Sequence, residues 1–209
     1  MIEIIPAIIA NTPEELRNAI AKLEGKTKRA SVDIMDGIFV PAKTVGPQEI
    51  LDIKTDLKLE AHLMVQDPEN WVPKLLETDI ESISIQIESE GDIKKLLQEI
   101  KDSRKKRRLV LNPDTEIDSA IPYLDLINAI QFMTVYPGKY GAPFVEKIIP
   151  KIKEFHSRYP DIPIAVDGGV NPETAPKLVT AGASILISGS YIIQSANIEE
   201  AINNLQSAY

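Results

Sequence analysis

Ile164-Ala165-Val166-Asp167-Gly168-Gly169 is a short apolar run that ends on a carboxylate and opens into two glycines. A strand reads this way when it is buried in a parallel sheet and its last polar side chain reaches a site at the carboxyl edge. Far upstream, Ser31-Val32-Asp33-Ile34-Met35-Asp36-Gly37 has the same form, with Asp33 in the place of Asp167. Two acids brought to one substrate suit proton transfer.

Outward from these two runs, short β-branched segments alternate with amphipathic stretches at intervals of roughly 25 residues, the rhythm of βα units around a parallel sheet. The strands expected are Glu3 to Ile9, Ala30 to Ile34, Lys58 to Leu63, Ser82 to Ile87, Arg108 to Leu111, Ala129 to Thr134, Ile162 to Val166 and Ile185 to Ser188. Eight strands in this order predict an α/β fold, a closed (β/α)8 TIM barrel, as a single domain over residues 1–209. An open doubly wound sheet shares the alternation but usually shows a Gly-rich first turn, whereas the first strand here runs into Ala10-Asn11-Thr12-Pro13. Asn11-Thr12-Pro13-Glu14-Glu15, Asp67-Pro68-Glu69 and Asn171-Pro172-Glu173 each offer a polar cap, an early proline and acids at the positive end of a helix.

A chain of 209 residues with 44% hydrophobic content buries a substantial core, and its net charge of -8 argues against a nucleic-acid surface. The cluster Arg104-Lys105-Lys106-Arg107-Arg108 reads as a solvated connection ahead of a strand. With no cysteine, disulfides, thiolate metal sites and thiol nucleophiles are excluded. The first residues lack the pattern of a signal peptide and no apolar stretch reaches bilayer length, so a cytoplasmic location with no membrane partner is the default expectation.

Residues at strand ends converge on one face of a barrel. In this chain they include Asp33, Met35, Asp36, His62, Met64, Gln86, Met133, Asp167 and Ser190. Asp33, His62 and Asp167 make a donor set suited to a borderline divalent ion such as Zn, Mn, Fe or Co. The bland alternative is a hydrogen-bonded barrel histidine beside acids that cap nearby helices. Glycine turns at Gly168-Gly169 and Gly189-Ser190 follow the last two expected strands, where backbone N–H groups cradle phosphate in other barrels. Tyr136 to Pro143, with Gly138, Lys139, Tyr140 and Gly141, forms a loop long enough to close over a ligand, and Lys139 offers it positive charge.

Taken in order, Val32 to Gly37 with Phe39-Val40-Pro41, His62 to Val65 with Asp67-Pro68, Leu111-Asn112-Pro113, Met133-Thr134-Val135 with Pro137-Gly138, Val166 to Val170 and Gly189-Ser190 resemble the ribulose-phosphate 3-epimerase family nearly end to end. That resemblance implies interconversion of ribulose 5-phosphate and xylulose 5-phosphate, a step of pentose-phosphate metabolism. It implies Asp33 and Asp167 as the acid/base pair and, with His62, as ligands of a catalytic divalent ion. Met35, Met64 and Met133 fall on methionines lining the reacting centre. Gly138, Lys139, Tyr140, Gly141, Gly168, Gly169, Gly189 and Ser190, together with His62, fall on substrate- and phosphate-contacting segments.

Departures from the family's pattern concentrate in the same place. A metal-binding histidine two residues before the first acid is Ser31 here, a substrate-binding serine on the first strand is Ala7, and a histidine ending the fourth strand is Gln86. A hydroxyl is a poorer ligand than imidazole, so Ser31 is expected to weaken the metal site or leave water in one position. Three readings follow: a working pentose-phosphate epimerase with a reduced metal shell, a non-catalytic phosphosugar-binding relative, or an epimerase or aldol-type enzyme for another ketose phosphate. The expected partner is a small sugar phosphate, with homo-oligomer formation left open.

Overall fold

The structure, a computed structural model, describes residues 2–209. Its strands are β1 (Glu3–Ile8), β2 (Arg29–Met35), β3 (Lys58–Met64), β4 (Ser82–Gln86), β5 (Lys106–Leu111), β6 (Ala129–Met133), β7 (Ile164–Asp167) and β8 (Ile185–Ser188), all parallel and closed into a barrel in chain order. Around them lie α1 (Pro13–Leu23), α2 (Pro47–Leu51), α3 (Val72–Leu76), α4 (Ile93–Asp102), α5 (Ile148–Arg158), α6 (Ala175–Ala181), α7 (Ser190–Ile193) and α8 (Ile198–Gln206). The connection from β5 to β6 is a 3-10 segment, Ile117–Leu126, interrupted by Pro122. The barrel expected from the alternation is the one observed.

Strand parity divides the interior in two. Val32, Ile34, Leu63, Ile85, Leu109, Phe132 and Val166 point outward and pack with Leu16, Ile20, Leu97, Ile152 and Phe155 from the helices in one continuous core. Each such side chain contributes about 1.5–3 kcal/mol when fully buried. The opposite parity faces the barrel axis and is polar along much of its length, with Ser31, Asp33, Glu60, His62, Gln86, Arg108, Gln131 and Asp167 all buried.

That polarity corrects the expectation for the basic cluster. Arg104 and Lys105 do lie in the connection between α4 and β5, but Lys106 already begins the strand and Arg108 is only 4% exposed. Arg108 pairs with Glu60 at 2.7 Å, and Glu60 also pairs with Arg29, which reaches Glu3 at 2.8 Å and Glu81 at 3.0 Å. Two guanidiniums around one fully buried carboxylate make the burial of charge tolerable at the amino end of the barrel.

Caps follow the sequence with one exception. Thr12 accepts from the Glu15 N–H at 3.1 Å and opens α1, while Asp67 accepts from the Glu69 N–H at 3.1 Å and opens the 3-10 turn Pro68–Asn70. Asn171 instead accepts from the N–H groups of Glu173 and Thr174 within a turn, and α6 starts only at Ala175. β7 starts at Ile164 rather than Ile162 because Pro163 between them has no N–H to give the ladder. Among the described residues, no helix is long and apolar enough to cross a membrane.

Candidate active site

Asp33 stands directly opposite His62 in the β2–β3 register, and Asp167 ends β7 opposite Met133 of β6 and Ile187 of β8. The His62 Nδ1 lies 3.4 Å from Asp33 Oδ1 and 3.2 Å from Asp167 Oδ2. One ligand atom from each residue falls within 4.8 Å of the others. Asp33 Oδ1 and His62 Nδ1 are both buried, and neither makes an aligned hydrogen bond. Orphaned donor atoms of this hardness, converging on one point, fit a divalent cation.

Electrostatics describe the same unmet need. Burial pushes the Asp33 carboxyl up to about 6, with the neighbouring Asp167 charge adding to the rise and His62 opposing it. Burial pulls the His62 imidazolium down, but the Asp167 and Asp33 carboxylates outweigh it and raise His62 to about 9. Two acids forced together hold a positive charge between them, whether a proton or an ion.

Neighbouring polar groups hold this trio in place. Gln131 Nε2 donates to Asp167 Oδ2 at 3.1 Å, and Gln86 Nε2 lies 3.0 Å from His62 Nε2. The Thr44 hydroxyl donates to the Asp33 carbonyl at 2.8 Å and accepts from the Met35 N–H at 2.9 Å. The Thr134 hydroxyl likewise donates to the carbonyl of the second acid, Asp167, at 3.0 Å. Each acid therefore has its backbone carbonyl tied by a threonine hydroxyl.

Above the trio, at the carboxyl ends of the strands, a cavity of about 520 Å³, counted to its open mouth, brings together most of the residues singled out in the sequence. Asp33 and Asp167 form its floor with Met35, Met64 and Met133, and the turns Gly168-Gly169 and Gly189-Ser190 form one wall. The loop carrying Gly138, Lys139, Tyr140 and Gly141 covers it, with Lys139 exposed at the rim. Tyr140 crosses the mouth: its hydroxyl donates to the Ala7 carbonyl at 3.0 Å and accepts from the Ile9 N–H at 2.7 Å. Gly189 is required there, because a Cβ would come within 2.7 Å of the Tyr140 ring. Gly168 is required too, since its φ of +101° is left-handed and a Cβ would collide with Val135.

Other expected positions fall outside this cavity. His62 is 1% exposed and is not part of the cavity lining. Gln86 and Ser31 are buried and also absent from the lining, with Ser31 opposite Ala7 on β1 and Glu60 on β3. Asp36 turns away from the site and accepts from the N–H groups of Gln66, Ile38 and Phe39, tying the β2 loop to the β3 loop. Gln131 was not anticipated, although its place two residues before Met133 puts it on the inward parity. Thr44 and Thr134 carry no local signal of their role, which appears only when loop and strand end meet.

A closed parallel barrel with an acid pair and an imidazole gathered at its carboxyl mouth defines an enzyme of the TIM-barrel class. The profile of the Ribulose-phosphate 3 epimerase family matches residues 3–193. Ribulose-phosphate 3-epimerase of Bacillus subtilis (strain 168) is 34% identical over 214 aligned positions, covering 99% of each chain. The Aquifex aeolicus (strain VF5) enzyme of that name is 33% identical, covering 90% of this chain and 87% of its own. The chain belongs to the ribulose-phosphate 3-epimerase family. Among solved structures, 3-hexulose-6-phosphate synthase from Salmonella typhimurium superposes with a TM-score of 0.73 at 15% identity, over 99% of this chain and 97% of its own. Phosphoribosyl anthranilate isomerase from Thermococcus kodakaraensis gives 0.68 at 12% identity over 100% and 98%, a likeness of fold alone.

Proposed function

We propose that this protein interconverts ribulose 5-phosphate and xylulose 5-phosphate by proton transfer at C3 between two carboxylates, through an enediolate. The observation that carries the proposal is the convergence of Asp33 and Asp167 on one point at the floor of one cavity. One carboxylate takes the C3 proton from one face, and the other, protonated, returns a proton to the opposite face, so the configuration inverts. A carboxyl raised to about 6 suits Asp33 to either role near neutral pH. Because the acids share a field, the pH profile belongs to the pair.

Asp33, His62 and Asp167 would hold a divalent ion, Zn, Mn, Fe or Co, which supplies charge stabilisation to the oxygens of the enediolate. Ser31 adds at most a weak hydroxyl donor, and three protein ligands leave positions open. Met35, Met64 and Met133, nearly fully buried, make an apolar floor that limits water around the acids. Backbone N–H groups of Gly168-Gly169 and Gly189-Ser190, with Lys139 at the rim, are proposed to take the phosphate.

The test is ribulose 5-phosphate in heavy water, with each ion supplied separately. Deuterium at C3 together with xylulose 5-phosphate is the expected result. Binding of the sugar phosphate without exchange under any ion would reassign the protein as a phosphosugar-binding module.

A further inference from the structure

We propose that Gln86 is the positioning residue of the Asp33–His62–Asp167 group: its amide holds the imidazole at Nε2 and so reserves Nδ1 for the ion, reversing its own orientation as the ring requires. The inference rests on the reading that these three residues bind a divalent cation. Gln86 is fully buried at the carboxyl end of β4, its Nε2 3.0 Å from His62 Nε2, while its Oε1 is buried with no partner. His62 is itself 1% exposed, so no bulk water competes for that contact.

The two ring nitrogens have different neighbours. Nδ1 faces two carboxylates, and Nε2 faces only the amide. The amide nitrogen lies toward Nε2, which suits a neutral ring with its proton on Nδ1 and a lone pair on Nε2, whereas the doubly protonated ring that the two carboxylates favour carries a proton on Nε2 and calls for Oε1 there instead. When an ion takes the Nδ1 lone pair, the ring proton sits on Nε2, and two N–H groups would then face each other. Leaving a buried donor unpaired costs about 1–3 kcal/mol. A half-turn about the last side-chain torsion brings Oε1 to the same place, and that sp3–sp2 torsion is soft. The turn breaks no hydrogen bond of Oε1, because it has none. Gln131 shows the contrast, since its amide N–H donates to an Asp167 carboxylate that only accepts, and no reversal is called for.

Outer-shell partners of metal-bound histidine typically govern affinity by about 10–100-fold. The experiment loads the full chain with Zn and with Mn and reads affinity by chelator competition, and it reads the His62 ring by 15N NMR in metal-free and Zn-loaded protein. Wild-type protein is expected to show Nδ1 as the Zn ligand and a slowly exchanging Nε2–H. Gln86→Met is expected to lose at least about tenfold in affinity and that slow exchange, and Gln86→His, which can donate or accept, to recover most of both. Zn bound through Nε2 in the wild type, or affinity and ring signals in Gln86→Met within twofold of the wild type, would overturn the proposal. Should the wild type bind no ion, the metal reading itself fails, and metal-free spectra still show whether the amide holds Nε2. The wild-type spectra decide the matter even if Gln86→Met fails to fold.

Discussion

Asp33 and Asp167 approach the same imidazole nitrogen from strands β2 and β7, with β8 and β1 lying between them in the barrel. On β1 the residue facing the cavity is Ala7, whose small side chain leaves the space between the acids open. A sugar carbon resting over Ala7 would have one acid on each side.

Replacing either acid by its amide should stop turnover without emptying the cavity. Asp33→Asn and Asp167→Asn are each expected to lower kcat by about 10²–10⁴-fold, the range of general acid–base catalysis. Steady-state kinetics beside a phosphate-ligand binding assay would check this, and near-normal turnover in either variant would remove that residue from the mechanism.

Tyr140 joins the sixth loop to the first strand through two hydrogen bonds of one hydroxyl. Tyr140→Phe keeps the ring against Gly189 but loses both bonds, each with a net worth of about 0.5–1.5 kcal/mol. Amide exchange over residues 136–144 should speed up by about tenfold or more, and KM should rise more than kcat falls. Unchanged exchange in the variant would show that the loop is held by other contacts.

At the amino end of the barrel, Glu60→Gln removes the carboxylate charge facing Arg108 and strips Arg29 of one partner. Breaking a buried pair from one side costs about 3–5 kcal/mol. Denaturant unfolding should show a loss of this size, whereas a loss under about 1 kcal/mol would mean that water already reaches the arginines.

Asp36 contributes to stability in a pH-dependent way. Partial burial pushes its carboxyl up, but the N–H groups of Gln66, Ile38 and Phe39 outweigh this and hold it below the usual carboxylate range. A depressed folded value stabilises the protein above the unfolded value of about 3.9 and is lost as pH falls through the folded one. The Tm gap between wild type and Asp36→Asn should be widest near neutral pH and close below about pH 4; a gap constant with pH would exclude the carboxylate as its source.

How far the sequence carried depends on the range of the interaction. All eight strands were legible because each sends apolar, often β-branched, side chains outward at alternate positions, in short runs set between turn residues and helical stretches. Asp33, His62 and Asp167 were legible because polar residues that end such runs have few other places to go. Arg108 misled, since a run of basic residues looks solvated until Glu60, 48 positions earlier, is seen beside it. Thr44, Thr134 and the Tyr140 hydroxyl were invisible for a related reason. Their partners are backbone groups, and a sequence does not show which carbonyl a loop will meet. Asp36 was placed among the strand-end residues, but the strand's alternation turns it outward, away from Asp33 and Met35.

The central claim, that two carboxylates serve opposite faces of one carbon, is tested most directly by C3 hydrogen exchange in the single variants. Each of Asp33→Asn and Asp167→Asn, given ribulose 5-phosphate and xylulose 5-phosphate separately in heavy water, should exchange the C3 hydrogen of only one epimer, a different one for each variant, with no interconversion. Exchange of the same epimer by both variants, or continued interconversion by either, would contradict the account.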